Sequence, residues 1–261
     1  MDLQLLNKTA FVAGSSKGLG LATAKTLLNE GANVAFNGRN IDKLNRVFNS
    51  LQNKEKSIIA QGDVTNPNDC SRIIQQTTDR FEGLDILITN CGGPKPGKFE
   101  ELDENDWMDG IKKSFLSHVY LIRTALPYLK QSISPSILTI TSFTVKQPLH
   151  NMILSNSIRA ATIGLTKTLA NELGIFNIRV NSILPGWTST DRVEELINDR
   201  SKKNGVSFEK EKENITKYIP LNRMGSPDEF ARAAAFLVSP ASSYITGVMF
   251  TVDGGIVQSL F

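Results

Sequence analysis

Along the chain, short runs of consecutive apolar residues alternate with longer segments in which apolar residues return every three or four positions. The short runs are TAFVA (9–13), NVAFN (33–37), SIIAQ (57–61), DILITN (85–90), SILTITS (136–142), IRVNSILP (178–185) and GVMFTV (247–252), and they predict strands. The longer segments predict helices over 19–30, 41–52, 67–81, 104–130, 152–173 and 227–238. Such regular alternation implies a parallel sheet covered on both faces, because parallel neighbours need long crossovers and helices supply them. A ligand of such a sheet sits at the carboxyl ends of the strands, near the switch in strand order. No repeat, linker or low-complexity tract divides the sequence, so residues 1–261 read as a single domain. One stretch breaks the rhythm: residues 188–219, rich in Lys, Glu, Asn and Ser, look too polar for core and are long for a connection. That profile predicts a lid over the binding site.

Composition narrows the picture. With 40% hydrophobic and 21% charged residues, the 261-residue chain suits one large α/β domain better than two small ones. The net charge is +3, and basic residues alternate with acids, as in EKEKEN (209–214), so no cationic stripe calls for nucleic acid. No apolar run reaches the roughly 18 residues of a membrane span. The first residues carry neither a basic region nor an apolar one of the signal-peptide kind, which makes a cytoplasmic location the expectation. Cys70 and Cys91 are too few for a disulfide framework and lack metal-ligand spacing, so both are expected to be small packed residues and no metal is expected.

The first chemical signal is AGSSKGLG (13–20), which follows the first predicted strand and opens the first helix. Gly14, Ser15, Ser16, Lys17, Gly18, Leu19 and Gly20 read as a dinucleotide-binding turn. The glycines permit a tight turn and close approach of a pyrophosphate, and the helix N-terminus supplies free N–H groups and positive potential. At the end of the second strand, where an acid would bind a ribose 2′-hydroxyl, the chain has Gly38 and Arg39. A guanidinium there, with Lys17 reaching from the glycine turn, suits a 2′-phosphate and favours NADP over NAD.

That turn, together with GDV (62–64), TNCGG (89–93), ITS (140–142), IRVNSILPG (178–186) and YITGVMFTVDGG (244–255), resembles a short-chain dehydrogenase/reductase from about Thr9 to Gly255. The resemblance implies a Rossmann-type, doubly wound sheet of seven parallel strands, assembly as a homotetramer, and NAD(P) lying across the strand ends. By position it places Asp63 and Val64 at the adenine, Asn90 and Gly92 at the ribose, and Pro185, Gly186, Thr188 and Thr190 at the nicotinamide carboxamide. The C-terminal stretch ITGVMFTVDGGIVQSLF ends in apolar residues that subunits would share.

The family has a Ser at the end of the fifth strand, a Tyr about thirteen positions later and a Lys four beyond it. Here Ser142 is in place, but Ser155 stands for the Tyr and Arg159 for the Lys, and Ser114 aligns with a fourth residue that is usually Asn. Ser155 and Arg159 are four apart and share one helix face, while Leu154, Ile158, Ala161 and Leu165 make an apolar stripe on another. A serine hydroxyl is far less acidic than a phenol, and Arg stays protonated, so the usual proton donor is missing. What remains is binding and polarisation by Arg159 and Ser142. His150, in the KQPLHN loop, brings an imidazole, a side chain suited to proton transfer at neutral pH, and is a candidate acid; His118, Tyr120 and Lys146 are weaker ones. Two functions stay open: an NADP-dependent oxidoreductase acting on a small-molecule carbonyl or alcohol through a variant site, or a non-catalytic NADP-binding sensor or regulatory protein.

Overall fold

The computed structural model describes residues 1–260; Phe261, the last residue of the apolar C-terminal stretch, lies outside the described residues. Among the described residues seven strands, β1 (Thr9–Val12), β2 (Asn33–Gly38), β3 (Ser57–Gln61), β4 (Ile86–Thr89), β5 (Ser136–Ile140), β6 (Arg179–Pro185) and β7 (Met249–Val252), form one sheet in the order β3-β2-β1-β4-β5-β6-β7. Every pairing is parallel. The strand order reverses between β1 and β4, so the connections leaving those two strands diverge and open a crevice at their carboxyl ends.

Nine helices among the described residues cover the sheet or its upper rim: α1 (Gly18–Asn29), α2 (Ile41–Asn49), α3 (Pro67–Phe81), α4 (Glu104–Ile111), α5 (Ser117–Leu129), α6 (Ile153–Leu173), α7 (Asp191–Asn204), α8 (Phe208–Thr216) and α9 (Pro227–Val238). On one face, Leu27 and Leu28 of α1 and Phe230, Ala234 and Leu237 of α9 pack on Val12, Phe36, Ile88 and Ile140. On the other, Ile73 and Ile74 of α3 and Leu121 and Leu129 of α5 pack on Phe11, Ala35, Leu87 and Ile137. Alternate residues of each strand feed opposite cores, which is why the strands read as unbroken apolar runs. Among the described residues no helix is long and apolar enough to cross a membrane.

Three features depart from the sequence reading. The helix expected over 104–130 is interrupted by a π-helical turn at Lys112–Leu116 between α4 and α5. There the Ser114 carbonyl accepts a hydrogen bond from Thr162 Oγ1 of α6 at 2.7 Å, a tertiary bond that supports the irregular turn. The apolar stripe expected on α6 is also corrected: Ala161 is exposed, and the buried face runs through Leu154, Ser155, Ile158, Thr162 and Thr166. Thr166 Oγ1 bonds the Thr162 carbonyl at 2.9 Å and approaches Thr139 Oγ1 at 3.0 Å, so these hydroxyls are buried with their bonds made. Finally, the polar stretch 188–219 is no plain loop. It folds as α7 and α8 around a satellite cluster of Trp187, Ile197, Ile215, Ile219 and Met224. Glu211 Oε1 accepts from Arg200 Nε and Oε2 from Asn204 Nδ2, at 2.8 and 2.9 Å, joining the two helices.

Arg179, at the start of β6, ties the sheet to the end of α9. Its guanidinium donates to the carbonyls of Leu237, Val238 and Ser239 and to Ser242 Oγ at 2.7 to 3.1 Å. A cation so placed satisfies carbonyls that a helix C-terminus leaves open and complements its negative potential.

Candidate active site

The crevice is a cleft of about 520 Å³, within the usual range for ligand sites. Its floor begins where β1 runs into the glycine turn. Gly14 has φ +60, and a Cβ there would stand 2.9 Å from Asn90 Nδ2; a Cβ on Gly20 would stand 2.4 Å from the Gly14 carbonyl oxygen. The first keeps the turn tight and the second lets α1 settle against it. Ser15 is fully buried: its Oγ donates to the Val12 carbonyl and accepts from the Asn37 amide, both at 2.8 Å. It braces the turn from beneath. Asn37 completes the brace, accepting from the Gly14 amide at 3.2 Å and donating to the Ala60 carbonyl at 2.8 Å. Side chains of Asn40, Asn66, Asp103, Thr190, Ser207 and Ser226 close α2, α3, α4, α7, α8 and α9, whereas α1 has no side-chain cap. Its first N–H groups are left for the cleft.

Two cations flank this floor. Arg39, well exposed, lies 3.7 Å from Asp63, and Lys17 reaches 3.2 Å to Asp191 at the start of α7. Both line the cleft. Lys17 thus leans toward the α7–α8 segment, and Thr190 packs beside Gly18. The base of that segment is held by a bridge between Thr188 and Gly225, with Gly225 N donating to the Trp187 carbonyl at 3.0 Å.

The other end of the cleft is built by the end of β5 and the first turns of α6. Ser142 Oγ accepts from the Thr144 amide at 3.2 Å, and Thr144 Oγ1 lies 3.2 Å from Ser155 Oγ. Arg159, one turn beyond Ser155, donates through Nη1 to the Thr141 carbonyl at 2.6 Å and the Ile140 carbonyl at 3.4 Å. Its Nε is buried without a partner among the described residues. Burial pushes the guanidinium down to about 10, and the nearby Arg192 adds to this, yet it remains charged at neutral pH. Cys91 also lines the cleft, its thiol pushed up by burial. Leu149, Met152 and Trp187 form an apolar wall.

The sequence comparisons agree with this architecture. The family model described as enoyl-(acyl carrier protein) reductase matches residues 13–257. The NADPH-dependent reductase BacG of Bacillus subtilis is 32% identical over 256 residues, covering 97% of this chain and 99% of that protein. The chain belongs to the short-chain dehydrogenase/reductase family. Among solved structures, L-sorbose reductase from Gluconobacter frateurii, complexed with NADPH and L-sorbose, superposes with a TM-score of 0.93 at 30% identity, covering 100% of both chains. A short chain oxidoreductase from Pseudomonas aeruginosa, solved with NADPH and described as containing an atypical catalytic center, gives 0.87 at 28% identity, covering 97% of this chain and 99% of that one.

Within the short-chain dehydrogenase/reductase cleft, most of the expected residues converge. Gly14, Ser16, Lys17, Gly18, Leu19, Arg39, Asp63, Val64, Asn90, Gly92, Ser142, Ser155, Arg159, Pro185, Gly186, Thr188 and Thr190 all line it. Ser15 and Gly20 shape the turn from behind it. His150 does not join them: it sits exposed on the turn before α6, outside the lining. His118 is buried, with Nδ1 2.7 Å from Thr89 Oγ1, and burial pushes it down to about 3, so it is a neutral core residue. Tyr120 packs against the core beneath α5, Lys146 is half-buried beyond the cleft, and the Ser114 hydroxyl is buried without a partner among the described residues. Sequence reasoning missed Thr144, Arg192 and Trp187, which the turn after β5, the first turn of α7 and the segment after β6 bring to the cleft. For Thr144 the signal was its place two residues after Ser142; nothing in spacing marked Arg192.

Proposed function

We propose that this chain is an NADP-dependent oxidoreductase acting on a carbonyl or alcohol, with α7 and α8 as the lid of its substrate site. The observation that carries the reading is Arg159, a guanidinium that lines the same cleft as Ser142 and the glycine turn. The cleft fits the cofactor: glycines keep side chains off its floor, uncapped N–H groups of α1 suit a pyrophosphate, and Arg39 and Lys17 suit a 2′-phosphate over a bare ribose. Relatives named as NADPH-dependent support the same choice.

Bound NADPH supplies the hydride for carbonyl reduction. The chain's own part is to hold and polarise the oxygen that gains charge as the hydride arrives. Arg159 does this with fixed positive charge and N–H donors held by the β5 carbonyls, and the Ser142 hydroxyl adds a second donor. The family pattern has a phenol at position 155. Ser155 cannot act as that acid, so Ser155 and Thr144 hold a water that passes the proton, which lowers turnover by about 10² to 10⁴ relative to a positioned general acid. Assembly as a homotetramer completes the reading, with the β7 edge and exposed Phe250 shared between subunits.

The test is NADPH oxidation against a panel of ketones and aldehydes. Wild type is expected to turn over slowly, Arg159→Ala to lose both turnover and cofactor affinity, and Ser155→Ala and His150→Ala to be milder. An inert wild type beside an active Ser155→Tyr/Arg159→Lys variant would replace this reading with that of a non-catalytic NADP-binding protein.

A further inference from the structure

Two guanidinium groups converge on Gly93, just past the end of β4. A Cβ at Gly93 would stand 3.4 Å from Arg192 Nε, 3.5 Å from Arg192 Nη2 and 3.9 Å from Arg159 Nη2. The two groups come from different elements: Arg159 from α6 and Arg192 from the first turn of α7. Their existing partners leave charge to spare. Arg159 bonds only backbone carbonyls through Nη1, and its Nε has no partner among the described residues. Arg192 donates through Nη2 to the Pro94 carbonyl at 3.0 Å, and its Nη1 lies 3.6 Å from Glu195, a loose pair on a partly exposed side chain. A third cation at this end, Lys113, is already matched by Asp109 at 2.7 Å.

Two like charges facing one cavity repel each other, and the arrangement is favourable once an anion stands between them. The Nε–Nη2 edge of a guanidinium presents two parallel N–H donors at the spacing of two carboxylate oxygens. Arg192 turns this edge toward Gly93, while Arg159, whose Nη1 is spent on the sheet and whose Nε is buried, offers Nη2.

We infer that the substrate is an anionic carbonyl compound, an oxo acid whose carboxylate lies within two carbons of the reacting carbonyl and binds between Arg159 and Arg192 beside Gly93. This rests on the reductase reading and names its substrate class. Arg159 then serves both oxygens, the carbonyl being reduced and the nearer carboxylate oxygen, and Arg192 takes the other side of the carboxylate. Because Arg192 belongs to α7, binding an acid also fastens the lid helix to the floor of the cleft. The cofactor's own pyrophosphate offers the same anionic chemistry, and the experiment separates the two sources.

Calorimetric titration of the protein saturated with NADP⁺, which has no hydride to give, with 2-oxobutanoate and 3-oxobutanoate, each against its methyl ester, reads the anion directly without turnover. At least one acid is expected to bind about tenfold or more tightly than its ester, the scale of a charge-assisted bidentate contact. Arg192→Gln is expected to remove that preference while changing the dissociation constant of NADPH by no more than about threefold. Equal binding of acid and ester, or binding of neither, overturns the inference. So does an Arg192→Gln variant that loses NADPH affinity about tenfold and keeps its acid preference, since the guanidinium then serves the pyrophosphate. Acid-selective binding without any NADPH oxidation would uphold the anion site and sink the reductase reading; oxidation with esters as readily as acids would do the reverse.

Discussion

Acid should destabilise this protein through His118 before it touches the carboxylates. The imidazole is buried in α5 against Thr89, and burial, with a smaller contribution from Arg159, holds it at about 3 against an ordinary value of 6.5. A folded value below the unfolded one means that the unfolded chain binds the proton first. The stabilisation is therefore complete above about pH 6.5 and is lost as pH falls toward about 3. Between pH 8 and pH 5 the loss amounts to about 2 kcal/mol, at 1.36 kcal/mol per unit once the unfolded imidazole is protonated. Glu229, held at about 2 mainly by its hydrogen bond with Arg223, contributes its own loss only below that window. Urea unfolding at pH 8 and pH 5 measures the difference. His118→Asn keeps a polar group near Thr89 but cannot titrate, and any packing cost it carries cancels between the two pH values. The variant should lose about 2 kcal/mol less than wild type over this interval. If both proteins lose the same stability, His118 takes up its proton in the folded state and the buried, neutral assignment is wrong.

Fluorescence titration should show NADPH binding at least about tenfold more tightly than NADH, and Arg39→Asp should abolish the preference, since a carboxylate there repels the 2′-phosphate. Arg179→Ala should cost about 1 to 3 kcal/mol in denaturant unfolding, because it removes the donor of the Val238 carbonyl, while the Leu237 and Ser239 carbonyls keep Ser242 Oγ; Arg179→Lys should recover part of that. Light scattering at micromolar concentration should give the mass of a homotetramer, and a monomeric mass would remove the shared β7 edge from the reading.

The parts of the fold that could be read from sequence are those where burial alone decides. The sheet is covered on both faces, so each strand shows as an apolar run, with ends shifted by one or two residues: 85–90 against Ile86–Thr89, and 247–252 against Met249–Val252. Where a hydroxyl replaces an apolar group, the pattern misleads. Thr162 and Thr166 occupy the buried face of α6 because carbonyls and a neighbouring threonine satisfy them, and a hydrophobic count assigns that face to Ala161. The π-helical turn escaped for a related reason: the carbonyl that Thr162 reaches belongs to a residue 48 positions away. In α7 and α8, few apolar residues among many charges still sufficed, since Ile197, Ile215 and Ile219 face Trp187 and Met224.

The family resemblance singles out Ser142, Ser155 and Arg159, and the geometry offers a reason for the last two to depart from the family pattern together. A lysine carries all its donors on one nitrogen, so an ammonium held against the Thr141 carbonyl as Arg159 is would present its remaining N–H groups from that same point. The guanidinium can serve both roles, since Nη1 is committed to β5 while Nη2, near Gly93, stays available. An ammonium beside a phenol lowers the phenol's pKa and makes it a proton donor; beside Ser155 it would have no such partner to activate. With serine at 155, a side chain that both anchors itself and polarises the substrate oxygen is worth more than one that tunes an absent acid. Arg159→Lys alone should therefore fail to restore ordinary carbonyl reduction, because it leaves an ammonium beside a serine with no phenol to activate.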